Sequence, residues 1–169
     1  MALPKKLKFF NVFGDGISWL GQAIEVKLPV LSRKMEEYRA GGMNGPIDLD
    51  FGNEKLELET KFGGLMRDVL NQYGVVTHNG VMLRFAGSYQ QEDTGEVDAV
   101  EVTVRGRHKE IDMGSAKAGD DTEFTVKSSL SYYKLVINGV TVIEIDFIGM
   151  KEVVNGVDRL AEHRTAIGA

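Results

Sequence analysis

Cysteine is absent from the 169-residue chain, which excludes a disulfide scaffold and any thiolate metal site. Proline is scarce, at three residues, and tryptophan occurs once. No stretch approaches the ~20 apolar residues that a membrane-spanning helix needs. Lys5, Lys6 and Lys8 near the start are followed by Asn11, Gly14, Asp15 and Gly16 rather than by an apolar segment, so no signal peptide is expected. Charge of one sign is also lacking. Twenty Lys and Arg face 25 Asp and Glu, for a net charge of -5, whereas a dedicated nucleic-acid binder carries a basic face.

Groups that perform chemistry are equally sparse. His78, His108 and His163 form no HExxH-type pair, and solvated imidazoles are the expectation. Ser18, Ser88 and Ser115 lack the G-x-S-x-G elbow. Gly14-Asp15-Gly16 lacks the further glycine and the helix of a dinucleotide site. The acidic pairs Glu92-Asp93, Glu110/Asp112 and Asp120-Asp121 read as solvated acids of loop-like sequence. No catalytic residue, metal ligand or cofactor contact is expected.

What the chain has is glycine, 20 residues of it, and alternation. Glycine with little proline suits sheets with many turns and bulges. Leu56, Leu58, Thr60 and Phe62 share one strand face, and Lys55, Glu57, Glu59 and Lys61 the other. Val100, Val102 and Val104 likewise oppose Glu101, Thr103, Arg105 and Arg107. Further strands are expected at 7–13, 22–28, 82–89, 123–137 and 140–147. Asn138-Gly139 between the last two is a strong hairpin signal, and Gly14-Asp15-Gly16 marks another turn. Tyr132 and Tyr133 must point to opposite faces, one to the core and one to a surface. Trp19 reads as a partly buried packing residue.

Two short helices are expected. One carries Leu65, Met66, Val69, Leu70 and Tyr73 on one face, with Gly74 as its stop. The other spans 157–167, with Asn155 as cap, Val157, Leu160 and Ala161 as the apolar stripe, and Gly168 as its stop. Residues 32–53 show no sustained period and read as a long excursion from the sheet; such loops are uncommon and usually functional. The expected fold is one mainly β domain over 1–169, β-rich α+β in class.

Ordered words along the chain carry a resemblance: NVFGDGISWLGQ, LPVLSRKMEEYRAGGMNGP, RFAGSYQQEDTGE, AVEVTVRGRHKEIDMG, KAGDDTEF, SYYKLVINGVTVIEID and VNGVDRLAEHRTAIG. In this order and spacing the sequence resembles the major tail tube proteins of contractile-tailed phages, and the tube proteins of R-type pyocins, over essentially its whole length. The resemblance implies two packed antiparallel sheets forming a barrel-like sandwich with flanking short helices. It implies hexameric rings, an inner sheet completing a barrel shared between subunits, and rings stacked into a conduit for DNA delivery. Implied partners are copies of itself, the tail sheath protein, the tape-measure protein, baseplate and tail-terminator proteins, and DNA in transit without specific binding. No membrane and no cofactor are implied. The implied location is the virion tail, assembled in the host cytoplasm.

By position, 32–53 matches the family's inter-ring loop, with Arg33, Met35, Glu36, Tyr38, Arg39, Gly41, Gly42 and Met43 as contact residues, and 1–10 matches its N-terminal element. Two polar stripes are lumen or interface candidates: Glu101, Arg105 and Arg107, and Asp121, Glu123 and Lys127. An ordinary solvated sheet face explains either stripe as well. A channel for DNA is expected to sum to negative charge, which repels phosphate. The competing expectation is a monomeric β-barrel or sandwich with an apolar ligand cavity; an enzyme comes third.

Overall fold

The computed structural model describes residues 1–169. In chain order its elements are β1 (Lys5–Gly14), β2 (Ile17–Ser18), β3 (Ala23–Lys27), β4 (Arg33–Tyr38), β5 (Ile47–Asn53), β6 (Leu56–Phe62), α1 (Arg67–Asn71), β7 (Val81–Gln91), β8 (Val97–Asp112), β9 (Phe124–Ile137), β10 (Val140–Asp146), β11 (Lys151–Val154), β12 (Val157–Asp158) and α2 (Ala161–Ile167). The mainly β expectation holds, with two antiparallel sheets and two short helices. β4 and β5 form a separate two-stranded sheet; the other ten strands form one network.

That network hangs on the long hairpin β8–β9. One edge of β9 serves two partners: Tyr132–Ile137 pair with β10, and Phe124–Leu130 pair with β6. β8 lies along the whole opposite edge. The network therefore divides into two layers joined through the hairpin. The upper layer runs β1-β7-β8-β9-β10-β11-β12, and the lower runs β3-β6-β9-β8. The register shifts between Arg105 and Gly106 and between His108 and Glu110, leaving Ser131 and Lys109 as the extra residues. Such bulges bend a strand and increase its twist. Gly106 sits at the bend because nothing larger fits. A Cβ there would stand 2.0 Å from the Ser129 carbonyl oxygen and 2.9 Å from Leu130 Cα.

Both layers feed one core. Leu56, Leu58 and Phe62 of β6 join Leu83 and Phe85 of β7, Val102 and Val104 of β8, and Val126 of β9 in a single cluster. Each such side chain contributes about 1.5–3 kcal/mol when fully buried. Trp19 is buried rather than partly exposed. Its ring meets Phe62 edge-on at 5.4 Å, and Phe62 meets Phe124 at 6.0 Å. Gly14 makes room for that indole, since a Cβ would lie 2.0 Å from its ring. Tyr133 is buried and Tyr132 only partly so, as adjacent strand residues require.

Three expectations are corrected. Residues 33–53 are a hairpin rather than an irregular loop. The strand signal depends on a buried face, and this ribbon buries neither face in its own chain. The C-terminal helix begins at Ala161, not at 157. Asn155 and Gly156 have φ of 51° and 77° and turn β11 into β12, so Asn155 is a turn residue and Val157 lies in a strand. Finally, α1 spans only five residues. Met66 and Val69 are buried as expected, but Leu65 and Tyr73 face solvent. Gly74, at φ 81°, follows the helix as its stop.

The bend yields a test. Gly106→Ala should destabilise the subunit by about 2–3 kcal/mol, the scale of overpacking against a backbone that cannot retreat. Thermal unfolding of the purified variant should show a clear fall in Tm.

Candidate functional site: a projecting hairpin and unfinished edges

The ribbon β4–β5 pairs with no other strand. Its register sets Tyr38 opposite Ile47 and Glu36 opposite Leu49 on one face, and Met35 opposite Asp50 and Glu37 opposite Asp48 on the other. Tyr38, Ile47, Leu49 and Phe51 are exposed large apolar side chains near one another. The second face is acidic, and Glu37 against Asp48 places like charges directly opposite, which is unfavourable. A lone two-stranded hairpin is marginal in water. This one therefore presents outward a mostly apolar face and an acidic face on which only Asp50 has a basic partner, Arg33.

Its tip is compact. Ala40 to Met43 close a turn through the Met43 N–H to the Ala40 carbonyl at 3.2 Å, with Gly42 at φ 89°, where only glycine sits without strain. Gly41 and Met43 belong to that turn and Arg39 precedes it. At the root, Arg33 Nε donates to Asp50 Oδ2 at 2.8 Å. The bonds from Gly52 N–H and Arg33 hold the Asp50 carboxyl below its ordinary range.

Two kinds of edge are left open. Beyond the short pairing of Phe13 and Gly14 with β2, the outer edge of β1 has no strand partner, and Phe9 there is 79% exposed. In the lower layer, β3 pairs only with β6. β8 outruns β7, which stops pairing at Gly106, so Arg107–Asp112 have β9 on one side and no strand on the other. A groove follows that free edge, walled by Leu70 and Tyr73 and by Lys109, Ile111 and Met113.

The polar stripes are split by this geometry. Glu101 and Arg105 lie on the outer face of the upper layer, where Glu101 pairs with Arg84 at 2.9 Å. Arg107 and Lys127 lie on the outer face of the lower layer, with Lys127 3.9 Å from Glu110. Asp121 and Glu123 belong to no strand; they sit in the connection before β9. Glu110 and Asp112, read as loop acids, are strand residues of β8. Lys109 binds Glu57 at 2.5 Å across the lower layer, which lowers the Glu57 carboxyl from its usual range. No group of three or more His, Asp or Glu side chains is placed to hold a metal.

His108 overturns the expectation of three solvated imidazoles. It is 7% exposed and linked to Gln72 at 2.7 Å and Ser128 at 2.9 Å. Gln72 Nε2 donates to Asp15 at 2.8 Å, so its Oε1 is left to accept. His108 must then donate from Nε2 and accept at Nδ1 from the Ser128 hydroxyl. The chain of bonds ties α1 to the β1–β2 turn and to β9, beside the free edge of β8. Sequence pattern gave a hint, since His108 continues the buried run Val102, Val104, Gly106.

A family model described as phage tail tube protein FII matches residues 4–168. The chain belongs to that family. It is 49% identical to the tail tube protein of Escherichia phage P2 over 171 residues, covering 99% of each chain. It is 37% identical to the major tail tube protein of Serratia phage KSP20 over 150 residues, covering 88% of this chain and 86% of the relative. Among solved structures, a chain of the sheath-tube complex of the extracellular contractile injection system PVC aligns at a TM-score of 0.55 and 14% identity. That alignment covers 76% of this chain and 86% of the other. A chain of the anti-feeding prophage baseplate aligns at 0.51 over 80% and 97%. These structures share the fold. The protein is thus a structural tail tube subunit.

Burial pushes the His108 imidazole down to about 4 from 6.5. The unfolded chain takes up that proton near 6.5 and the folded chain only near 4, so stability falls as pH drops through this window. The loss is roughly 3 kcal/mol by linkage. A His108→Asn variant should show a smaller fall in Tm between those pH values than the wild type, and parallel thermal scans would read the difference.

Proposed function

We propose that the subunit forms rings whose lower layers join into one barrel around a channel, and that the β4–β5 hairpin links successive rings into a tube. The observation that carries this reading is strand parity. The order β3-β6-β9-β8 is antiparallel at each step, so its two free edges run in opposite directions. Rotation about a ring axis preserves strand direction, so β8 of one copy meets β3 of the next antiparallel. The upper layer offers no such pair of long edges: its end strands β2 and β12 are two residues each, and the long β1 runs the same way as β12. A head-to-tail contact that closes gives a ring, and an axial one that does not close gives a filament. Six copies per ring is the number that the family resemblance implies.

In this arrangement the outer face of the lower layer lines the channel. It alternates acid and base, with Lys127–Glu110 and Lys61–Glu25 pairs spanning adjacent strands and a Lys109–Glu57 pair reaching over β9 from β8 to β6. Such a lining is nearer to balanced than the net negative one expected from sequence. Cations held by neighbouring carboxylates retain phosphate weakly, which suits DNA in transit without specific binding. The protein performs no catalytic step. Sheath, tape-measure, baseplate and terminator proteins complete the partner set, and assembly proceeds in the host cytoplasm before the tail is finished.

The apolar hairpin face, Tyr38, Ile47, Leu49 and Phe51, supports the axial contact, because a second copy would bury it. Purified protein viewed by negative-stain microscopy at rising concentration should show rings and tubes. A concentration-independent monomer would instead favour the ligand-binding sandwich. Phe51→Asp, and Gly41→Trp at the open tip, should leave Tm within a few degrees of wild type while shortening or abolishing tubes, since both side chains stand clear of the core. Tubes of ordinary length from both variants would remove the hairpin from the axial contact.

A further inference from the structure

Glu152 is the one carboxylate that the fold buries, at 7% exposure. A buried charge is strongly unfavourable unless it is paired and hydrogen-bonded. Glu152 lies on β11, yet both of its side-chain donors come from elsewhere. Arg33 Nη1 donates to its Oε1 at 2.6 Å, and Asn53 Nδ2 donates to the same oxygen at 3.1 Å. Those donors stand at the root of the β4–β5 hairpin, one on each strand, opposite each other in register. Across the same root runs one backbone bond, Glu54 N–H to the Ser32 carbonyl at 2.7 Å. It closes the ribbon but does not aim it.

We propose that Glu152 is a positioning residue for assembly: it latches the hairpin root to β11 and so sets the direction in which the hairpin leaves the subunit to meet a second copy. The inference rests on the axial role of the hairpin stated above. Aim matters because the lever is long. Seven residues of β5 at ~3.3 Å each carry the tip roughly 20 Å from the root, so a swing of about 10° displaces it by about 3.5 Å, most of one strand spacing. A ribbon that buries no face in its own chain has no packed surface to resist such a swing, and the latch is the side-chain contact that ties its root to β11.

The C-terminal segment acts as the backing of the latch. No residue of α2 is buried, so the helix contributes little to the core. It is fastened instead to the β11–β12 region, with Arg164 bound to Asp158 and to the Met150 carbonyl at 2.8 Å. The Arg159 N–H bonds the Glu152 carbonyl at 2.7 Å. β11 is thereby held on both sides of the carboxylate that the hairpin grips.

The test uses Glu152→Leu, which fills similar volume without a charge, and Glu152→Gln, which keeps an oxygen acceptor. Amide hydrogen exchange of the subunit and tube length by electron microscopy are read together. The expected result for Glu152→Leu is a folded subunit whose amides at 33–53 exchange roughly tenfold faster while those of β7 and β8 are unchanged, with tubes shortened or lost. Glu152→Gln should restore both readouts in part. If Leu prevents folding, Arg33→Met makes the same measurement from the more exposed partner. Unchanged exchange across the hairpin would overturn the latch. A freed hairpin with tubes of ordinary length would overturn its role in aiming. If Phe51→Asp also builds ordinary tubes, the axial role of the hairpin fails, and the latch is judged on exchange alone.

Discussion

The structure depends on one backbone ladder, the pairing of β8 with β9. β8 runs 16 residues and β9 runs 14, well beyond the usual strand of about 5–6 residues. Because β9 is long, its other edge has room for two partners, β10 and β6. Because the ladder bends at Gly106 and its bulges, those partners fall in different layers. Remove the bend and the apolar faces of β6 and β7 no longer meet. The two layers, the shared core and the free edge of β8 all follow from this geometry.

Interior and surface obey different rules. The interior is apolar, with aromatic contacts radiating from Trp19 and one polar chain from Asp15 through Gln72 and His108 to Ser128. That chain supplies direction rather than burial: each of its bonds has a geometry, so α1 has one seat beside β8. Outside, the molecule leaves apolar side chains in water and backbone groups unpaired, which a solitary globular protein avoids. The lower-layer edges and the hairpin are incomplete in a way that further copies of the same chain can complete. Opposite strand directions at the two edges make that completion compatible with rotation about an axis.

Legibility in the sequence tracked burial. The faces of β6, β8 and β9 were readable because one side of each packs against the core and the other does not, so apolar and polar residues alternate. Asn138-Gly139 was readable because both positions need positive φ, at 50° and 79°, which few residues tolerate. Asn155-Gly156 carried the same signal and was masked by the apolar stripe that follows it. The ribbon β4–β5 was invisible as strands, since neither face is buried in the subunit and alternation had no core to report. His108 was misjudged because its composition is polar, although its place in the buried run of β8 was in plain view.

Sequence by itself determined the class of fold, most strand positions, the main turns and, through ordered words along the whole chain, the family. These are properties of near neighbours: alternation, local φ requirements and short motifs. Tertiary structure alone decided that Glu101 and Arg105 belong to the upper layer, Arg107 and Lys127 to the lower, and Asp121 and Glu123 to neither, and that β8 outruns β7. It also decided that Glu152 meets Arg33 and Asn53, residues separated from it by 119 and 99 positions. Those facts arise from where distant segments are brought together, and no local pattern encodes the bend of a ladder or the far partner of a buried charge.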